Sequence, residues 1–217
     1  MYHRRLEFNV TAGRLAAFEE GQAMLGDLRK KQKGFIGQAL LQSYGYPGKY
    51  AVTHRWETWE AADAFARSKA FGDVLVANPP EGRGFTLSRP TEAYESVLDI
   101  NADGFTGATA GQYQCEVLAD WVIDRGPAAA AQFVRRFGEL SELRKKHMEG
   151  FGSSRLRMSL GSSFRYLAIT ICKDLDATLK AWQPAQLQRF ASDHPIAEVT
   201  GTAPVVDTYR VVHRMTP

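Results

Sequence analysis

The chain has 217 residues, 44% hydrophobic and 24% charged, a balance that fits a folded globular protein and argues against intrinsic disorder. Its net charge of +3 is the small difference between 27 basic and 24 acidic side chains. No basic stripe interleaved with aromatics accompanies that charge, so nucleic-acid binding is not expected. The two cysteines, Cys115 and Cys172, lack C-x-x-C spacing, which excludes a zinc ribbon or a thioredoxin-type site.

Met1 to Val10 lacks the apolar core of a signal peptide, and no apolar run reaches the ~18 residues of a membrane span, so a cytoplasmic location is expected, with no membrane partner. Residues 4 to 10 read as a strand. Leu15, Phe18, Leu25 and Leu28 then fall on one helical face, and that helix ends before Gly34. Phe35 to Ser43 and Lys49 to Trp56 read as two strands joined by Tyr44-Gly45-Tyr46-Pro47-Gly48, a hairpin loop. Thr58 is the expected N-cap of a second helix carrying Ala61, Ala62 and Phe65, and Ser68 restarts it as a short helix with Phe71 and Leu75. Pro79 to Gly84 ends that piece, and Pro90 to Asp99 reads as a last strand.

The same order then recurs. Leu28-Arg29-Lys30-Lys31 before Gly34-Phe35 returns as Leu143-Arg144-Lys145-Lys146 before Gly150-Phe151, and Tyr50, Pro79 and Tyr94 have counterparts in Tyr166, Pro195 and Tyr209. Tyr113 to Asp124 reads as a strand, and Phe133, Phe137, Leu140 and Leu143 mark a helix. Phe151 to Leu160 and Phe164 to Cys172 read as strands, a helix starts near Asp174, Pro184 breaks it, and Val205 to His213 closes the copy. The cationic ends of both long helices read as complements of the helix dipole. Cys115 and Cys172 fall at facing ends of adjacent antiparallel strands, which allows a reversible bridge.

Residues 1–100 are therefore expected to form one β-α-β-β-α-β ferredoxin-like repeat, 101–112 a linker and 113–217 a second repeat. Tyr50-Val52-His54-Trp56 and Ala51-Thr53-Arg55 place large residues on both strand faces. The expected solution is an α+β chain in which the two repeats pack sheet to sheet as an intramolecular dimeric α/β barrel. Such a fused pair is expected to be a monomer with an internal pseudo-dimer or a homodimer.

Val10-Thr11-Ala12-Gly13-Arg14, Gly34-Phe35-Ile36-Gly37 and Arg55-Trp56-Glu57-Thr58, continuing through Ala61, Phe65 and Ser68 to Phe71, carry a resemblance. Gly150-Phe151-Gly152 carries a weaker one in the second copy. The chain resembles the antibiotic-biosynthesis-monooxygenase-type dimeric α/β barrel family, which includes quinol, anthrone and haem-degrading monooxygenases. The resemblance implies a monooxygenase for a planar aromatic or quinol-like small molecule, in which the substrate, deprotonated in an apolar pocket, reduces O2 without a cofactor. The haem-degrading branch implies an Asn on the first strand, a Trp on the second helix and a His further on. Asn9 fits the first place in copy one, but Phe65 and Leu75 take the other two; copy two offers Trp182 and His194 with Trp121-Val122 in the Asn place.

On this reading His54 and Asn9 are the candidate catalytic residues, and Arg55, Trp56, Phe65 and Trp182 the candidate substrate-binding residues. His194, whose copy-one counterpart is Asn78, binds a cofactor only if haem is bound. A helix cap competes with that role, as core packing does for Trp182. No metal site is expected. A non-catalytic small-molecule-binding or structural module remains open beside the two enzyme readings.

Overall fold

The computed structural model describes residues 1–77, 84–106 and 110–217. The expected loop from Pro79 to Arg83, Asn78 and the middle of the expected linker lie outside the described residues. The contacts divide the chain into two units, Met1–Ala93 with Val211–Pro217, and Tyr94–Arg210.

In the first unit the chain runs through β1 (Tyr2–Val10), α1 (Leu15–Lys30), β2 (Phe35–Ser43), β3 (Lys49–Trp56), α2 (Trp59–Ala66), α3 (Lys69–Ala77) and the short β4 (Phe85–Leu87). Strand β3 is central. It pairs antiparallel with β1 from Tyr2↔Trp56 to Asn9↔Lys49 and with β2 from Phe35↔Trp56 to Gln42↔Tyr50, with a bulge between Phe35 and Gly37. With β4 on the outer edge of β1, the order β2-β3-β1-β4 is the split βαβ pattern. Tyr50, Val52 and Trp56 share one pleat face of β3 and are at most 1% exposed. They anchor two clusters, one with Phe8, Val10, Phe18 and Leu40 and one with Tyr2, Phe35, Ala62 and Phe65.

The second unit contains β5 (Glu92–Asn101) from Tyr94 on, β6 (Cys115–Val122), α4 (Gly126–His147), β7 (Phe151–Ser159), β8 (Arg165–Cys172), α5 (Leu175–Leu179), α6 (Ala185–Asp193) and β9 (Val205–Met215) as far as Arg210. The ladders give the order β9-β6-β8-β7-β5. Phe133, Phe137, Leu156, Tyr166 and Ala168 form the main cluster between α4 and the sheet. Cys115 and Cys172 stand opposite each other in the β6–β8 register. Both are buried free thiols, and burial pushes the Cys115 thiol up to about 11.

Both units are ferredoxin-like, and the chain is α+β. The compact units do not follow the sequence repeats strand for strand. Strand β5, the last strand of the first repeat, pairs with β7 from Tyr94↔Ser159 to Asn101↔Ser153. The C-terminal end of β9 belongs to the first unit, where Met215 lies against Gly26 and Gly37.

The helix boundaries come from local chemistry. The Thr58 hydroxyl accepts from the Ala61 N–H at 3.2 Å and the Ser68 hydroxyl from the Phe71 N–H at 3.2 Å, so the second helix breaks where a new cap is available. Asp174 caps α5 through the Ala177 N–H at 2.8 Å, and Pro184 precedes α6. Gly34 and Gly150, the repeated turns after α1 and α4, have φ of +81° and +73°, and an added Cβ would meet the methyls of Ala61 and Ala177 at 2.9 and 2.8 Å. Backbone strain and the clash act together. Gly34→Ala or Gly150→Ala is expected to lower unfolding stability by about 1 to 3 kcal/mol, read from the midpoint of urea denaturation.

Helix α1 is oriented differently from the sequence expectation. Its buried face is Phe18, Gln22, Gly26 and Arg29, whereas Leu15, Leu25 and Leu28 are only partly buried. The reason lies across the sheet. Gln38 on β2 donates to the Gln22 carbonyl at 3.1 Å and accepts from Arg29 Nη1, so a polar strip is satisfied inside the unit. No helix among the described residues is long and apolar enough to cross a membrane.

Candidate functional site

Each unit encloses a cavity of about 450 Å³ bounded by helices and sheet, within the ~300 to 1,000 Å³ range of small-molecule sites. In the first unit Leu6, Phe8 and Val52 form the floor, Phe18, Gln22, Leu25 and Arg29 of α1 one wall, and Phe71, Val74 and Leu75 of α3 with Phe85 the other. The aromatic walls are mutually fixed. Phe18 lies 5.1 Å from Phe8 and 5.2 Å from Phe85, ring centre to ring centre.

Two arginines line this apolar space, Arg14, which is exposed, and Arg29, which is buried. Arg29 is 5% exposed, its guanidinium sits 5.3 Å over the Phe65 ring, and its Nη1 donates to the neutral Gln38 amide. Its Nε is buried without a hydrogen-bond partner. Burial, aided by the Arg4 charge, lowers its pKa to about 10, and no carboxylate among the described residues acts on it. Arginine still holds its proton at neutral pH, so the cavity carries a buried cation with no counter-ion among the described residues. Leaving an ion unpaired in such surroundings costs several kcal/mol. An anionic atom in the cavity offsets that cost.

Behind the wall, Phe71 continues into Phe65, Trp56 and Phe35 at centroid spacings of 5.2, 5.7 and 5.3 Å. The Trp56 indole N–H donates to His54 Nδ1 at 2.7 Å, with Trp56 0% and His54 5% exposed. Burial, then the charges of Arg29, Arg4 and His3, hold the His54 pKa well below its usual 6.5. His54 is therefore neutral with its proton on Nε2, and its free lone pair is taken by Trp56. In the unfolded chain the imidazole titrates near 6.5, so stability is fully present above that pH. As pH falls below about 6.5 the unfolded chain takes up a proton that the buried ring does not, and stability drops, by up to about 1.4 kcal/mol per pH unit. Urea unfolding between pH 7 and pH 5 is expected to show a smaller decline in His54→Gln than in the parent.

The residues expected from sequence separate into groups. His54 and Trp56 are brought together by their hydrogen bond, but they and Phe65 stand behind the cavity wall and not in it. Arg55 points to the opposite face of β3, its guanidinium beside Gly37. Asn9 is exposed and lines a shallow surface groove with Tyr46, Gly48 and Lys49. Trp182 and His194 are brought together, both lining the cavity of the second unit. There the Arg144 guanidinium lies 5.2 Å over the Trp182 ring, the His194 ring packs edge-on to Phe190 at 4.6 Å, and Trp121 occupies the position where haem chemistry implies an amide.

The residue that sequence reasoning missed is Arg29, with its repeat counterpart Arg144. In the sequence both stand as dipole-complementing cations at helix ends. The signal was the helical stripe itself, since Phe18, Gln22 and Arg29 recur at helical spacing while Lys30 and Lys31 do not share that face.

Residues 1–76 match the family model described as antibiotic biosynthesis monooxygenase. The whole chain is similar in fold to a candidate monooxygenase of Fusobacterium nucleatum, with a TM-score of 0.76 at 11% identity over 99% of this chain and 94% of that one. An anthrone oxidase-like protein gives 0.71 at 12% identity over 99% and 93%. A candidate monooxygenase of Lactobacillus acidophilus gives 0.72 at 8% identity over 99% and 95%. No curated protein matches by sequence.

Proposed function

We propose, from the match of residues 1–76 to the antibiotic biosynthesis monooxygenase model, that the chain is a monooxygenase for a planar aromatic or quinol-like small molecule. It works without a cofactor, in the cavity of the first unit. The observation that carries this reading is the buried guanidinium of Arg29, without a carboxylate partner among the described residues, in an aromatic-walled cavity. Phe8, Phe18 and Phe85 hold a flat ring, and Arg29 stabilises the oxyanion that forms when the substrate loses a proton. For an anthrone-like substrate the activated CH2, acidified by the Arg29 charge, gives up a proton to water and leaves an enolate. The enolate carbon then bonds to O2, which is reduced to a peroxide anion; this takes a proton back from water, and loss of water from the hydroperoxide leaves the new carbonyl. One substrate and one O2 become one ketone and one water.

His54 was expected to take the proton. Its lone pair is held by Trp56 and its basicity is depressed, so we assign it to holding the aromatic wall in place, with Arg29 acidifying the substrate directly. The test is to offer anthrone and a reduced naphthoquinone to the purified protein with chelator present and no haem, and to follow product absorbance. Oxidation well above the buffer rate supports the reading; none for either compound overturns it.

The second reading, haem binding, rests on Trp182 and His194 sharing a cavity. The lining does not fit it, because the one imidazole among the described lining residues, packed on Phe190, shares the cavity with a bulky Trp121 where an amide is implied. Titration with haemin decides it: a saturable Soret band lost in His194→Ala would restore haem, and no His194-dependent band removes it.

A further inference from the structure

We propose that the cavity of the second unit is a binding site in its own right for an aromatic carboxylate, with Arg144 taking the carboxylate and Trp182 and Phe133 holding the ring. This goes beyond the oxygen chemistry assigned to the first unit and does not depend on it. Three observations converge.

The first is an uncompensated cation. Arg144 lines the cavity, its Nη1 donates to the neutral Thr170 hydroxyl at 3.3 Å, and no carboxylate among the described residues acts on it. No aspartate or glutamate lines this cavity among the described residues.

The second is a further guanidinium on the same lining. Arg136 engages Glu198 through Nη2, while its Nη1 is buried with no partner. Arg144 without a carboxylate partner, Arg136 with one buried unused donor beside its Glu198 pair, and a lining without acidic residues among the described ones favour an anion over a neutral guest, and a guanidinium matches a carboxylate in a two-point fork.

The third is the shape of the apolar part. Trp182 is 47% exposed beneath the Arg144 guanidinium, and Phe133 sits 5.4 Å from Trp121. A flat ring that stacks there adds dispersion and burial to the charge pairing. An exposed tryptophan held flat under a cation is costly for a structural wall and useful for a ligand platform.

The experiment is calorimetric titration of the full chain with 2-naphthoate and with its neutral isostere 2-naphthamide. The variants are Arg144→Gln, Trp182→Leu and, to identify any binding in the first cavity, Arg29→Gln. The expected result is a naphthoate component that survives Arg29→Gln but weakens about tenfold or more in Arg144→Gln, the size of a lost charge-assisted hydrogen bond. That component also weakens in Trp182→Leu, and naphthamide binds at least about tenfold more weakly than naphthoate. Because Trp182 is half exposed, Trp182→Leu leaves the fold intact and decides the matter if Arg144→Gln does not fold. Undetectable naphthoate binding at millimolar concentration, binding indifferent to Arg144→Gln or Trp182→Leu, or equal affinity for naphthamide overturns the proposal.

Discussion

Arg29→Met is expected to lower kcat for an anthrone or quinol substrate by about a hundredfold to a thousandfold, the loss seen when one oxyanion donor is removed from a closed site. The same change is expected to leave unfolding stability at or above the parent value. The two effects point in opposite directions for a physical reason. A guanidinium that is 5% exposed and has no carboxylate among the described residues is a cost to the empty fold, and methionine fills a similar volume with no charge to desolvate. Against this stands the Gln38 amide oxygen, which loses its donor and costs about 1 to 3 kcal/mol. A residue kept only for folding would show the reverse pattern, with stability falling and kcat unchanged. Steady-state kinetics and urea unfolding of one variant therefore separate function from structure at this position.

Trp56→Ala is expected to cost about 3 to 5 kcal/mol of stability, the range for truncating a fully buried large aromatic. Trp56 is 0% exposed, packs between Phe35 and Phe65, and satisfies His54 Nδ1. Removing it leaves a void at the junction of β2, β3 and α2 and an unpaired buried acceptor, and two mechanisms of loss then add. Were Trp56 a substrate-facing wall, the same truncation would act mainly on KM and leave the denaturation midpoint near the parent value. Chemical denaturation with the kinetics measured beside it distinguishes the two, and the geometry predicts that the midpoint moves.

The local grammar of the chain was readable. Thr58, Ser68, Asp174 and Pro184 each placed a helix start, and each is where a helix starts or is capped, because a cap is a contact between near neighbours in sequence. The hairpin loops and the two-unit α+β organisation followed from turn chemistry and from the repeat. What the sequence did not reveal is non-local. Strand β5 pairs with β7, and nothing within Glu92 to Asn101 says which neighbour it will choose, since its alternation suits either ladder.

The site was harder to read for a related reason. His54 was visible as a polar residue on a buried strand face, but the partner that fixes its role is Trp56 on the same face two residues on, and that bond turns a candidate base into an acceptor for the wall. Arg29 was hidden by its surroundings. It sits in a run of cations at a helix end, where charge is ordinarily explained by the dipole and by water. Only the rotation of α1 onto Gln22, Gly26 and Arg29 shows that one cation of the run is turned inward. Asn9, singled out for being polar among apolar neighbours, proved to be at the exposed end of its strand.

The most direct measurement is O2 uptake per anthrone consumed, in the presence of chelator and with no haem added, for the parent and for Arg29→Met side by side. The account predicts one O2 per substrate in the parent and uptake near the buffer rate in the variant. Equal uptake by the two proteins, or uptake by the parent only after haemin is added, would contradict it.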